Sequence, residues 1–238
     1  MVTTAVIMAA GRGTRFGKYT ELIPKGFIPF KGKAMVIRSI ETMLDCGIER
    51  IIIGTGYHKE FYEELATKYP QIQCCFSPRF AETNCLYTLW NCRSLVGGDD
   101  ILMLDSDLVF ERRAISELLA FPKESAILTA PLTKFQDAYY VEQEPDGHFI
   151  AWSKDRNAIN PCGELVGIHK LSNAFYQAVC SYYDKVVDAQ PNLSYEPVFT
   201  EVSLNTHPIY ICKVDPLVWY EIDDEKDLRF AEENIALD

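Results

Sequence analysis

Gly11, Gly13, Arg15 and Lys25 follow the apolar run Ala5-Val6-Ile7-Met8, a combination suited to holding a polyphosphate. Glycines take conformations closed to other residues and bring bare backbone N–H groups against an anion, while Arg15 and Lys25 supply neutralising charge. A nucleoside triphosphate is the expected guest. Further along, Asp105 and Asp107 stand two places apart directly after the apolar run Ile101-Leu102-Met103-Leu104. Asp is a hard oxygen ligand suited to a Mg²⁺ that keeps some of its waters, and it is equally a common helix cap after a strand. Near the other end, Glu221-Ile222-Asp223-Asp224-Glu225 offers a carboxylate to complete the Mg²⁺ shell, although acidic residues also favour a helix's first turn for electrostatic reasons. Between these segments, Thr83 and Asn84 either cap a helix or hydrogen-bond a base and ribose.

Two other Gly-rich signatures are excluded. After Gly11 and Gly13 the next glycine falls at 17, one place late for a dinucleotide fingerprint, and no Gly-Lys-Ser/Thr closes a Walker loop. An ordinary tight turn with two exposed basic residues is the competing reading of the loop, so the rest of the chain has to decide.

The elements that would position these residues alternate. Short apolar runs predict strands over 5–9, 51–53, 72–76 and 101–104, and helical periods predict helices over 35–46, 60–69 and 86–95. This is the pattern of right-handed βαβ units, with ligands collecting at the carboxyl ends of the strands. After about residue 130 the style changes: strands over 139–144 and 149–153 flank the turn Pro145-Asp146-Gly147. The chain then returns through 164–169, a helix over 174–187 and a final strand with helix over 209–233. The expected fold class is α/β, a Rossmann-like, mixed but mostly parallel sheet forming one domain over 1–238. A small β excursion over approximately 131–170 serves the acceptor.

Composition narrows the partners. A formal net charge of -11 disfavours nucleic acid and anionic membrane surfaces, which need clustered Lys and Arg. Eight cysteines without C-x-x-C spacing read as reduced and mostly buried rather than as zinc ligands. No leader-like segment or bilayer-length apolar run is present, so a cytoplasmic protein is expected.

With these residues in place the chain resembles the nucleotidyltransferase superfamily of sugar-nucleotide and cytidylyltransferase enzymes, whose pattern is A-A-G-x-G-x-R, then P-K, a strand-end Asp and a late Asp. Ala9-Ala10-Gly11-Arg12-Gly13-Thr14-Arg15, Pro24-Lys25, Asp107 and Asp223 match it in order. Gly54-Thr55-Gly56-Tyr57, Thr83-Asn84-Cys85-Leu86-Tyr87-Thr88 and Glu221-Ile222-Asp223 resemble the branch that activates phosphocholine or 2-aminoethylphosphonate with CTP. The resemblance implies CTP in the loop, contacted by Ala9, Ala10, Gly11, Gly13, Thr83, Asn84, Thr88 and Asp105, with Mg²⁺ between Asp107 and Asp223. It further implies attack of an acceptor phosphate or phosphonate oxygen on the α-phosphorus, with Arg15 and Lys25 offsetting the charge of the departing pyrophosphate.

The acceptor is narrowed by its ammonium group. A quaternary ammonium calls for an aromatic box, for which Tyr139, Tyr140, Trp152 and Tyr195 are candidates. A primary one calls for carboxylates, for which Asp137, Asp155, Glu164 and Glu196 are candidates. The carboxylates outweigh the aromatics and Lys154 suits a phosphonate, so 2-aminoethylphosphonate is favoured over phosphocholine. Tyr139, Lys154, Glu164, Tyr195 and Glu196 are the expected acceptor residues. A sugar-1-phosphate nucleotidyltransferase, a glycosyltransferase using Asp105-Ser106-Asp107 and a non-catalytic nucleotide-binding regulator stand as alternatives. Oligomeric state, including a homodimer, is left open.

Overall fold

In the computed structural model, residues 2–132 and 138–237 are described. β1 (Thr4–Ala9) is buried along its whole length, and a loop with two 3-10 turns and the short α1 (Tyr19–Leu22) follows it. The hairpin β2 (Pro29–Phe30) and β3 (Lys33–Ala34) leads into α2 (Met35–Asp45), which buries Val36, Ile40 and Met43 at helical spacing. Next come β4 (Arg50–Thr55), α3 (Lys59–Lys68) and β5 (Ile72–Phe76). The expected helix over 86–95 is two, α4 (Cys85–Asn91) and α5 (Arg93–Val96), joined at Cys92. β6 (Ile101–Asp105) then turns through Ser106-Asp107 into β7 (Leu108–Phe110), followed by α6 (Arg113–Ala120) and β8 (Ala126–Ala130).

The excursion is the antiparallel hairpin of β9 (Tyr140–Gln143) and β10 (Phe149–Ser153), which pairs with the long β11 (Gly163–Leu171). α7 (Asn173–Asp184) and α8 (Tyr195–Asn205) come next, then β12 (Tyr210–Lys213), β13 (Trp219–Glu221) and α9 (Glu225–Asn234). The strand order is β10-β9-β11-β6-β1-β4-β5, with β8 beside β11 and β12 beside β8. β6, β1, β4 and β5 run parallel, whereas β11 is antiparallel to β6, β8 and β9. The sheet is therefore mixed, an α/β Rossmann-like arrangement as expected.

Both faces are covered, which is why β1 and β6 read as unbroken apolar runs. Ala5, Ile7, Leu102 and Leu104 pack toward α2, α3 and α6, while Val6, Met8, Ile101 and Met103 pack toward α4, α7 and α8. α8 and β8 lie outside the sequence expectations. Pro197 reads as a breaker, but in the first turn of α8 its missing N–H costs nothing. Residues 209–233 hold two strands rather than one, and they sit in different sheets. Cys92, Cys180 and Cys212 are buried and the other five cysteines are only partly so, which corrects the expectation of mostly buried thiols; all eight are free. Among the described residues, no helix is long and apolar enough to cross a membrane.

Candidate active site

The site forms where β1 and β6 end side by side, with Met8 in register with Asp105. Beyond β1, Gly13 has φ +61°, and a Cβ there would lie 3.0 Å from both Lys25 Cβ and Thr20 Cγ2. The turn therefore requires glycine. Gly11 carries no such requirement: its φ is not positive and an added Cβ would meet nothing within 4 Å, so the expectation of special backbone at 11 is corrected. Gly54 matters for a different reason, because a Cβ there would lie 2.3 Å from Thr88 Cγ2. Only glycine lets α4 sit that close to β4.

No helix follows Asp105 or Asp107, so the capping reading of that pair fails; both sit around the β6–β7 turn. β7 pairs antiparallel with β13, and Ile222 N–H donates to Asp107 O at 3.0 Å. That ribbon brings Asp223 beside Asp107. At its end the acidic run divides its labour: Asp224 caps α9 by accepting from Lys226 N and Asp227 N, which leaves Asp223 for the site. One oxygen each of Asp107, Glu221 and Asp223 lie within 4.8 Å of one another.

Lys25 is ion-paired with Asp107 and lies 2.7 Å from Asp223 Oδ1, and Arg15 Nη1 lies 2.7 Å from Asp223 Oδ2. Burial opposes the charge on Lys25, but attraction and hydrogen bonding to Asp107 and Asp223 outweigh it and hold its pKa above the usual lysine value. Burial, reinforced by the carboxylates of Asp107, Glu221 and Glu196, pushes Asp105 well above the usual carboxylate range. Three convergent carboxylates are a fitting donor set for a divalent ion, and Asp107 Oδ1 is buried without a hydrogen-bond partner among the described residues.

Two cavities meet here. The first, about 340 Å³, is lined by Ala9, Ala10, Gly11, Gly13, Arg15, Lys25, Thr83, Asn84, Thr88, Asp105, Asp107 and Asp223, the whole expected nucleotide and metal set. Asn84 does cap α4, with Oδ1 accepting from Cys85 N at 2.7 Å, and the Thr83 hydroxyl donates to Arg79 O at 2.7 Å. Capping and cavity-lining coexist. Met8, Thr14, Cys85, Ser106, Tyr62 and Phe80 complete the wall, and of these Tyr62 and Phe80 had no local sequence signal.

The second cavity, about 440 Å³, is lined by Tyr139, Lys154, Glu164, Tyr195 and Glu196, together with Glu221 and Trp219. It shares Arg15, Asn84, Cys85, Asp105 and Asp107 with the first. Of the four aromatics offered for a box, Tyr139 and Tyr195 line the cavity, where Trp219 joins them, and the other two do not. Tyr140 is buried and does not line the cavity, and neither does Trp152, whose indole N–H donates to Glu196 O at 3.1 Å and whose ring packs 4.7 Å from that of Phe149. Asp155 is also outside it and instead accepts from Asn157 N; Asp137 lies outside the described residues. Lys154 Nζ rests 4.9 Å above the Tyr139 ring. Trp219 and Glu221 were missed as acceptor-side residues, although the alternation Trp219, Glu221, Asp223 along one strand face could have grouped them.

Strand-end loop, paired basic residues and convergent carboxylates on an α/β sheet define a nucleotidyltransferase. Residues 5–179 match the MobA-like NTP transferase domain, and the chain belongs to that family. Among its relatives, the CMP-5'-(3-aminopropyl)phosphonate synthase of Streptomyces rubellomurinus is 25% identical over 96% of this chain and 38% of the relative. The 2-aminoethylphosphonate cytidylyltransferase of Lancefieldella rimae is 26% identical over 86% of this chain and 80% of the relative. The chain thus spans well under half of the first relative and most of the second. The solved structure of CTP:phosphocholine cytidylyltransferase from Streptococcus pneumoniae shares the fold, with a TM-score of 0.84 over 98% of this chain and 99% of that one at 22% identity.

Proposed function

We propose that this nucleotidyltransferase moves CMP from CTP to a small amine-bearing phosphonate, with 2-aminoethylphosphonate as the acceptor, and releases pyrophosphate. The observation that carries the reading is the meeting of the two cavities at Arg15, Asp105 and Asp107, beside the Lys25 and Asp223 ion pairs. A triphosphate in one and an anionic acceptor in the other would converge at that junction. The relatives that act on aminoalkylphosphonates support the acceptor class.

An acceptor phosphonate oxygen is already anionic, so no residue has to deprotonate a weak nucleophile; the protein's task is positioning and charge neutralisation. Asp107, Asp223 and Glu221 would hold a Mg²⁺, which supplies neutralisation of triphosphate oxygens when bound. Arg15 and Lys25 line the nucleotide cavity, where they would meet the charge that grows on the leaving pyrophosphate. On the acceptor side Lys154 suits the phosphonate. Glu164 and Glu196 suit a primary ammonium, each carboxylate accepting one of its N–H bonds. Three N-methyl groups would remove those bonds and add volume.

Pyrophosphate release measured with CTP, Mg²⁺ and each acceptor tests the assignment. The expected order of kcat/KM is 2-aminoethylphosphonate, then phosphoethanolamine, then phosphocholine, with UTP a poor substitute for CTP. If phosphocholine proves best, the carboxylate reading of the second cavity is wrong.

A further inference from the structure

Asp223 has both carboxylate oxygens engaged by basic side chains of the glycine loop, and Asp107 has one. Lys25 Nζ contacts Asp107 and Asp223 together, and Arg15 Nη1 takes the remaining oxygen of Asp223. These carboxylates are also the convergent donors of the metal site. An ammonium between two carboxylates fills the position of an ion whose ligands must approach to about 2.1 Å, and the two cations repel each other. Lys25 thus stands where it would compete with a metal for Asp107 and Asp223.

We infer that Lys25, with Arg15, is an internal counter-ion that a divalent metal must displace, so that metal entry and transfer of these two side chains to the triphosphate are one exchange. The geometry provides for both ends of it. Lys25 and Arg15 line the nucleotide cavity as well as contacting the acids, so a triphosphate offers them new partners within the same site. The metal in turn replaces the charge they leave behind. Linkage makes the effect reciprocal: nucleotide strengthens metal binding by the factor by which metal strengthens nucleotide binding. Without nucleotide the protein holds a divalent ion weakly, although its donors are preassembled. What draws the two side chains away rests on the nucleotidyl-transfer reading; their competition with the metal does not.

The competition is tested without CTP or acceptor, so its failure is separable from failure of the proposed reaction. Mn²⁺ binding to nucleotide-free protein is followed by the loss of the free-ion electron paramagnetic resonance signal, for wild type, Lys25→Met and Arg15→Gln. Lys25→Met is expected to bind Mn²⁺ at least ~10-fold more tightly than wild type, and Arg15→Gln about 3-fold more tightly, because an exposed pair is already screened by solvent. The Arg15 side chain is 63% exposed against 12% for Lys25. Adding Asp107→Asn to Lys25→Met should abolish the gain. Thermal unfolding gives a second readout: Mg²⁺ should raise the Tm of Lys25→Met by more than that of wild type. Equal or weaker Mn²⁺ binding by a cooperatively folding Lys25→Met protein overturns the inference. Should that variant fail to fold, unchanged Mn²⁺ affinity in Arg15→Gln overturns it instead.

Discussion

The two cavities that meet at Asp107 are built from different materials. The nucleotide cavity takes much of its wall from the ends of β1 and β6 and from the small residues Ala9, Ala10, Gly11 and Gly13. The acceptor cavity is walled by long side chains, with Asp105, Asp107, Glu164, Glu196 and Glu221 against only Arg15 and Lys154 among the described residues. On the proposed reading, backbone at strand ends would grip what every nucleoside triphosphate has in common. On the same reading, charged side chains on a late hairpin and helix would discriminate between acceptors. Changes on the second wall should therefore alter which acceptor reacts and leave nucleotide binding nearly untouched.

The comparison breaks first at the shared boundary. Asp107→Asn or Asp223→Asn should lower turnover at least ~10²-fold with either cavity saturated, the size expected for losing a major electrostatic group. Steady-state kinetics against Mg²⁺ concentration checks it, and near-normal turnover with Mg²⁺ still required would remove that residue from the metal site. Lys25→Ala should reduce kcat about 10²-fold while changing acceptor KM little, because its contacts belong to the nucleotide side. An effect confined to acceptor KM would place Lys25 on the wrong wall.

A smaller effect sharpens the contrast. Glu196 Oε2 is buried beside the acceptor cavity without a partner among the described residues. Glu196→Gln should raise the KM for 2-aminoethylphosphonate about 10-fold and leave the KM for CTP within about 2-fold, roughly the value of one charge-assisted bond. A parallel rise in both constants would show that the walls are not independent.

The smallest effect is on stability. His169 is fully buried behind the acceptor wall, with Nε2 3.4 Å from the Tyr195 hydroxyl, and burial pushes its pKa down to about 3. The unfolded chain takes up a proton below about pH 6.5 and the folded one does not, so this group's effect is to lower stability as pH falls from 6.5 toward about 3. Its contribution should fall by about 1 kcal/mol between about pH 6.5 and 5.5. Urea unfolding of wild type and His169→Gln across that range checks the sign and size: the variant should lose that part of the pH dependence, whatever its absolute stability.

The same contrast explains what could be read from the chain. The nucleotide wall is local: a strand, a glycine turn with basic residues and a strand-end acid each occupy a few consecutive positions, and their register in the sheet follows from apolar runs buried on both faces. The acceptor wall is not local. Tyr195 and Glu196 were recognisable as candidates, but the helix presenting them was hidden by Pro197, whose position in the first turn only the structure reveals. Trp152 and Tyr140 look as suitable for a box as Tyr139 does, yet packing turned them elsewhere. Where both faces of a sheet are covered, periodicity does not say which face meets a ligand. Asp105 and Asp107 offered metal ligation or capping, and it took the β6–β7 turn to exclude the cap.

The β7–β13 ribbon has a consequence for the order in which the protein comes into being. Asp107 and its partners Glu221 and Asp223 are held together by pairing between Leu108–Phe110 and Trp219–Glu221. During synthesis, β1, the glycine loop and β6 leave the ribosome long before β13 exists, and such segments can begin to organise as they emerge. A nascent chain that has reached residue 179 already carries the stretch matched to the family, but it lacks two of the three convergent carboxylates. If these carboxylates serve catalysis as proposed, competence would arrive late, when the ribbon closes, and nucleotide held before then would have no complete site in which to react.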